Sequence, residues 1–213
     1  MKHSPRFTTL GVLIAGVLAF AAGAAGAQTI VDEWSKVPTP PAPTLKPVKI
    51  EAGSTALLVL DLVNAGCNNE RRPRCVQSIP KVEKLLADAR AHKVAVIYSL
   101  TSATKVQDIL PQVAPKAGEP SVTSSVDKFM NTDLEKILKD KGIKTVIVVG
   151  TTAEGAVLYT ASGAALRGFN VIVPVEGSTA GSLYGEAATA WILANAPGVG
   201  AKMTLTKMDM ISY

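Results

Sequence analysis

The chain has 213 residues, of which 47% are hydrophobic and 18% charged, which is enough apolar sequence for one domain with a complete core. Its formal net charge is +5, and it falls to +3 (20 basic against 17 acidic residues) once residues 1–27, with Lys2 and Arg6, are set aside. No run of lysine and arginine is interleaved with aromatic residues, so the composition does not indicate a nucleic-acid partner.

The first 27 residues are typical of a secretory signal peptide. Lys2 and Arg6 give a positive start, residues 10–20 form an apolar run, and Ala25-Gly26-Ala27 offers a small-residue cleavage site. The alternative, a transmembrane anchor, is disfavoured because the strongly apolar part is short and breaks into glycine and alanine. We therefore expect an exported protein, periplasmic or secreted, that leaves the membrane after cleavage.

Residues 28–49 contain the segment PTPPAPTLKP, whose prolines prevent helix formation and sheet ladders. The segment predicts an extended arm, which either wraps a neighbouring subunit or tethers the domain. The domain itself is expected to cover residues 50–213.

From residue 50 onward, buried strands alternate with amphipathic helices. Predicted strands cover residues 55–62, 93–100, 144–150, 170–175 and 203–206, and predicted helices cover residues 79–91, 131–142, 154–167 and 184–194. This alternation predicts an α/β fold, a doubly wound three-layer sandwich around a mostly parallel sheet.

In such sheets ligands bind beyond the carboxyl ends of the strands, and three segments are expected there. Asp61 follows an apolar strand, either as a functional carboxylate or as a turn-forming residue before Asn64. Residues 123–129 (TSSVDKF) form a loop. The GTTAEG turn, residues 150–155, directs backbone N–H groups toward a helix N-terminus, which suits an oxyanion or carboxylate.

The chain has two cysteines, Cys67 and Cys75. In an oxidising compartment a disulfide is expected, and the alternatives are a reactive thiol or a metal site. A metal site is disfavoured because His92 is the only histidine left after signal removal, and no metal or cofactor is predicted. The intervening basic loop, with Arg71, Arg72 and Arg74, either attracts a carboxylate-bearing substrate or is a solvated surface loop.

Three segments of the chain are similar to the signature regions of the isochorismatase-like superfamily of cysteine hydrolases: ALLVLDLVN, DKFMNTDLEKILKDKGIKTVIVVG and GTTAEGAVLYTASGAALRGFNVIVPVEG. The resemblance covers about residues 50–175. It implies a six-stranded parallel sheet with helices on both faces, assembly into homo-oligomers, and a small-molecule substrate. It also implies a site made of an aspartate, a lysine and a nucleophilic cysteine.

Only part of that site is present in this sequence. The family's aspartate falls on Asp61, its cysteine on Ala156 and its lysine on Thr123. A methyl group cannot act as a nucleophile, so amidase chemistry through a thiol is disfavoured. The resemblance implies another route, because isochorismatases proper lack the cysteine and are thought to cleave a vinyl ether with acid catalysis from the aspartate and water as the nucleophile.

Lys128 lies five residues beyond the family's lysine position and could return its ammonium to the site, or it could simply flank the next helix in solvent. Glu154 is a further candidate, although an acidic residue in a first helical turn is favoured by the helix dipole in any case. Tyr159 and Arg167 could contact a ligand or a subunit interface. The predicted catalytic residues are Asp61 and Lys128, and the predicted binding residues are Asn64, Thr152, Ala153, Glu154, Gly155, Ala156 and Tyr159.

Two hypotheses follow from the sequence. The first is an exported hydrolase of a small molecule, which could be anionic, with Asp61 as general acid or base. The second is a catalytically silent family member that binds a small ligand or a partner chain through the same pocket.

Overall fold

The computed structural model describes residues 29–213 of the chain. The predicted signal peptide, residues 1–27, lies outside the described residues. The chain divides into two units between Thr39 and Pro40, and the second unit contains all of the α/β architecture. Within residues 29–213, no helix has the length and apolar character needed to cross a bilayer.

The strands of the main sheet are β2 (Thr55–Leu60), β3 (Ala95–Leu100), β4 (Ser121–Thr123), β5 (Thr145–Thr151), β6 (Asn170–Pro174), β7 (Ser178–Thr179) and β8 (Met203–Thr206). The sheet is parallel throughout, in the order β4-β3-β2-β5-β6-β8, and β7 pairs with the end of β5. Because β3 and β5 lie on opposite sides of β2, the strand order reverses there, and the crevice for a ligand is expected at this point.

Helices cover both faces of the sheet. Helix α2 (Pro73–Ala91) packs on one face, and α3 (Leu134–Asp140), α4 (Leu158–Leu166) and α5 (Leu183–Asn195) pack on the other. Two separate hydrophobic cores result, and the side chains of each strand alternate between them: Leu57 and Val59 belong to the α2 core, whereas Leu58 and Leu60 belong to the α4 core. The predicted α/β three-layer sandwich is confirmed.

The first described unit contains a short helix, α1 (Ile30–Glu33), continued by a 3₁₀ turn at Trp34–Lys36. Beyond it, the extended arm is tied to the end of the chain. Lys46 N–H donates to the Leu205 carbonyl (3.0 Å), and strand β1 (Val48–Lys49) pairs with β9 (Ile211–Ser212) outside the main sheet.

Element boundaries differ from the sequence expectation at several points. Strand β2 ends at Leu60 because Asp61 has a positive φ of 52°. Helix α2 begins at Pro73, six residues earlier than expected, since proline suits the first helical position. The predicted helix at residues 154–167 opens with a single π-helical turn, Ala153–Val157, before α4. Strand β4 was missed, because three residues carry too little periodicity to recognise.

Gly150 lies next to the end of β5 and pairs with Leu60 of β2. Its φ is +144°, and a Cβ at this position would collide with the Leu60 carbonyl oxygen. Only glycine therefore allows the two strands that carry the candidate site to approach each other so closely.

We expect Gly150→Ala to lower the free energy of unfolding by at least about 2 kcal/mol, because it adds both backbone strain and a steric collision. Urea denaturation measures the change. Gly53→Ala is the matched control, since nothing lies within 4 Å of its Cβ position, and its effect should stay within about 0.5 kcal/mol. Equal stability of Gly150→Ala and the wild type would show that the β2–β5 approach is not constrained in this way.

Candidate functional site

Asp61 lies at the carboxyl end of β2, beside the point where the strand order reverses. Strict alternation along β2 would direct its side chain toward the α2 core, but its left-handed backbone turns the carboxylate to the opposite layer. There Oδ1 accepts a hydrogen bond from the Ser99 hydroxyl at 2.8 Å. A non-glycine residue in this backbone conformation is uncommon, and such residues concentrate at functional sites.

The Lys128 ammonium pairs with this carboxylate, with Nζ 2.8 Å from Asp61 Oδ2. The same nitrogen also donates to three backbone carbonyls, those of Ser125 (2.6 Å), Ser124 (3.2 Å) and Leu100 (3.3 Å). The side chain of Lys128 is fully buried, whereas that of Asp61 keeps 10% exposure. The Lys128 ammonium is therefore inaccessible to solvent, and the Asp61 carboxylate is the member of the pair that a small molecule or water can reach.

Helix α4 holds the loop that carries Lys128. Lys128 N–H donates to the Thr160 hydroxyl (3.2 Å), which in turn donates to the Val126 carbonyl (3.2 Å). About two helical turns further on, at the end of α4, the Arg167 guanidinium lies 4.5 Å from the centre of the Phe129 ring, and its Nε donates to Glu135 Oε2 (3.1 Å). These contacts fix the lysine from the helix side of the site.

The turn between β5 and α4 contains most of the predicted binding residues. Ala156 is 3% exposed and packs in the same core as Leu60 and Phe129. The Thr152 hydroxyl lies 2.6 Å from the Cβ position of Gly155, so any side chain at 155 would collide with it. The N–H groups of Gly155 and Val157 both donate to the Thr152 carbonyl (3.1 Å each), so these two donors are used within the turn.

The remaining predicted residues are exposed on the surface of the domain. Asn64 is exposed, and its backbone N–H bonds the Asp108 carbonyl (3.0 Å). Glu154 is exposed, with its carboxylate directed at Gly185 of α5. Tyr159 is 53% exposed on the outer side of α4. Thr123, which the resemblance aligned with the family's lysine, is an exposed residue that ends β4.

Cys67 and Cys75 form a disulfide, which closes the loop that follows β2. The basic side chains of that loop bond protein groups: Arg71 donates to the Ala65 carbonyl (3.1 Å) and Arg72 to the Gly66 carbonyl (2.7 Å). Arg74 Nε lies 2.8 Å from Glu186 Oε1, so it joins the loop to α5. The loop is thus closed by the disulfide and attached to α5.

No group of three or more potential metal ligands comes together among residues 29–213. Sequence reasoning missed Ser99, the hydroxyl partner of Asp61. Its only signal was a polar residue near the end of the apolar run VAVIYSL.

The chain matches the family called the Isochorismatase domain over residues 55–207. It belongs to the isochorismatase family. In an alignment of 107 positions that covers 45% of this chain and 56% of the other protein, it is 33% identical to the "Secreted isochorismatase effector Isc1" of Verticillium dahliae. Over 66 residues it is 38% identical to an Arthrobacter N-carbamoylsarcosine amidase, 25% of which is covered. The matches therefore span about half and a quarter of these relatives.

A comparison with solved structures shows the same fold. A cysteine hydrolase from Pseudomonas syringae pv. phaseolicola 1448A aligns with a TM-score of 0.67 and 20% identity, covering 78% of this chain and 94% of that one. At this identity the likeness shows the fold alone. In this isochorismatase-family fold, the Asp61–Lys128 pair and the Ala156 turn occupy neighbouring strand ends.

We expect Lys128→Met to lower the free energy of unfolding by about 3–5 kcal/mol, because it leaves the Asp61 carboxylate buried without its ammonium partner. The double variant Asp61→Asn/Lys128→Met should regain part of this loss, since no charge then remains unpaired. Urea denaturation of the four chains gives the coupling free energy.

Lys136→Met is the matched control, since its pair with Asp140 leaves both side chains largely exposed (71% and 60%). It should change stability by less than about 0.5 kcal/mol. A Lys128→Met variant as stable as this control would mean that the buried pair does not form.

Proposed function

We propose that the protein is an exported hydrolase that uses water, not a thiol, to cleave a small molecule held beside Asp61. The observation that carries the proposal is the 2.8 Å contact between Lys128 Nζ and Asp61 Oδ2, in which the carboxylate is the more accessible of the two groups. Lys128 supplies an ammonium although the family's lysine position holds threonine. An acidic group with a charged partner is thus retained where the nucleophilic cysteine is replaced by Ala156.

The chemistry we propose uses Asp61 as a general base and then as a general acid. The carboxylate takes a proton from a water molecule as the water oxygen attacks the scissile carbon, and the same proton then passes to the leaving group. Lys128 keeps the carboxylate in place and balances its charge before the transfer. N–H groups of the turn before α4 are placed to stabilise negative charge that develops on the substrate.

Export is supported by the disulfide between Cys67 and Cys75, since disulfides persist in oxidising compartments, and by the similarity to a protein described as a secreted effector. We propose a periplasmic or secreted location after removal of residues 1–27, and a homo-oligomeric state. The substrate is proposed to be small, because only a tenth of the Asp61 side chain is open to solvent.

A panel of small amides, N-carbamoyl compounds and vinyl ethers, incubated with the protein and followed by mass spectrometry, tests the reaction. For any compound cleaved, Asp61→Asn should lower turnover by about 10²–10⁴-fold, the usual contribution of a general acid–base group. Asp140→Asn, at a carboxylate exposed on α3, is the control and should keep full activity. Unchanged turnover in Asp61→Asn would exclude this role for the residue.

Iodoacetamide separates the proposed chemistry from that of a thiol hydrolase. Because both cysteines are joined in the disulfide, alkylation of the unreduced protein should leave turnover within about twofold of the untreated rate. Loss of activity on alkylation would instead indicate a thiol in the reaction.

The second candidate is a silent binding protein, favoured by the departures from the family pattern at Ala156 and Thr123. In that case a compound of the same panel should raise the melting temperature without being converted. Turnover that depends on Asp61 would exclude this candidate.

A further inference from the structure

A groove lies at the outer edge of the main sheet, beside β8. It has a volume of about 410 Å³, and its lining comes from residues 41–46 of the arm, residues 191–195 of α5 and residues 200–205 around the start of β8. Binding sites for small molecules commonly measure about 300–1,000 Å³. The groove is therefore large enough to hold a ligand.

The groove is separate from the candidate site. Asn195 is the last residue of α5 and Met203 the first residue of β8, and both line the groove. Because the strands of the main sheet are parallel, the start of β8 lies toward the amino ends of the strands, whereas Asp61 follows the carboxyl end of β2. A ligand in the groove would thus not take the place of a substrate beside Asp61.

The arm is held to β8 next to the groove but does not close it. Lys46 N–H donates to the Leu205 carbonyl (3.0 Å), and the Thr206 hydroxyl donates to the Lys46 carbonyl (2.7 Å). Within the part of the chain that the structure describes, no backbone hydrogen bond joins residues 41–44 to β8. Pro41 and Pro43 fix φ near about −65°, which favours polyproline II geometry over that of a strand, so this stretch does not extend the sheet.

The groove combines an aromatic ring with hydrogen-bonding groups. Trp191 is 48% exposed, and its indole offers a flat apolar surface. The Asn195 amide nitrogen donates to the Trp191 carbonyl (2.8 Å), which leaves the amide oxygen to accept from a ligand. Thr44 and Thr204 add two hydroxyls, each of which can donate and accept.

The groove also carries a positive charge. Among the described residues that line it, Lys46 is the one with a charged side chain. A single ammonium balances one carboxylate, whereas a ligand with several phosphates would require more cations. The charge of the groove therefore favours a ligand with one negative group per binding unit.

We propose that the groove binds a saccharide that carries a carboxylate, such as a chain of uronic acid units. One face of a pyranose ring is formed by C–H groups, and this face would lie against the Trp191 indole. The hydroxyls around the ring both donate and accept, so they match the threonine hydroxyls and the Asn195 amide. Lys46 would pair with the carboxylate.

A fully aromatic ligand fits the groove less well. It would stack on Trp191 but would leave the surrounding hydroxyls and the amide without hydrogen-bond partners, which costs affinity. The inference is independent of the proposed reaction, since it uses none of the residues around Asp61.

Tryptophan fluorescence tests the proposal directly. With Trp34→Phe, Trp191 is the only tryptophan of the chain. We expect its emission to change saturably on titration with oligomers of galacturonate, glucuronate or mannuronate. Oligomers of galactose, glucose and mannose are the neutral counterparts, and the best uronate ligand should bind about 2- to 5-fold more tightly than its counterpart, the usual gain from an exposed ion pair.

Lys46→Gln separates the charge from the rest of the groove. It should weaken binding of the uronate oligomer about 2- to 5-fold and leave binding of the neutral oligomer unchanged. Lys141→Gln is the matched control, because it makes the same change at an exposed lysine at the end of α3, and it should not alter either affinity. Equal binding of the uronate and neutral oligomers by the wild type would overturn the proposal of an acidic saccharide.

Trp191→Ala tests the stacking surface, with binding measured by ligand-observed nuclear magnetic resonance. We expect the dissociation constant to rise at least about 10-fold. Tyr184→Ala, which removes another exposed aromatic residue of α5 (82%) that does not line the groove, should keep the wild-type affinity. Absence of binding by any uronate oligomer up to about 10 mM would overturn the proposal, as would binding that Trp191→Ala fails to weaken.

Discussion

The Asp61–Lys128 pair is the interaction on which the rest of the site depends. A buried charge is costly without a partner, and here one ion pair joins the end of β2 to a loop that is more than sixty residues away in sequence. The lysine also donates to carbonyls of Leu100, Ser124 and Ser125. The pair thereby ties together the ends of β2 and β3 and the loop that follows β4, before any substrate is bound.

The backbone makes this pairing possible. Asp61 would face the α2 core if the strand simply continued, and its left-handed φ of 52° moves the carboxylate to the layer that contains Lys128 and Ala156. Gly150, on the neighbouring strand, lets β2 and β5 approach without a side chain between them. These two backbone features bring the Asp61 carboxylate to the ends of neighbouring parallel strands, β2 and β5.

The fold could be predicted from sequence because buried parallel strands appear as continuous apolar runs, such as TALLVL and TVIVVG. The site could be predicted only in part. Asp61 is recognisable as a carboxylate at a strand end, but whether Lys128 faces solvent or the site depends on the course of the loop between β4 and α3, for which no local pattern exists. Ser99 was missed because a serine in an apolar strand becomes meaningful only when its neighbour across the sheet is known.

Helix α4 supports the candidate site from the helix layer. The π-helical turn that precedes it contains Ala156, and Thr160 of α4 holds the Lys128 loop. Thr160 is buried whereas the adjacent Tyr159 is 53% exposed, since successive side chains of an α-helix are about 100° apart around its axis. The position of Lys128 therefore depends on the inner side of α4, where the Thr160 hydroxyl accepts from the Lys128 N–H and donates to the Val126 carbonyl.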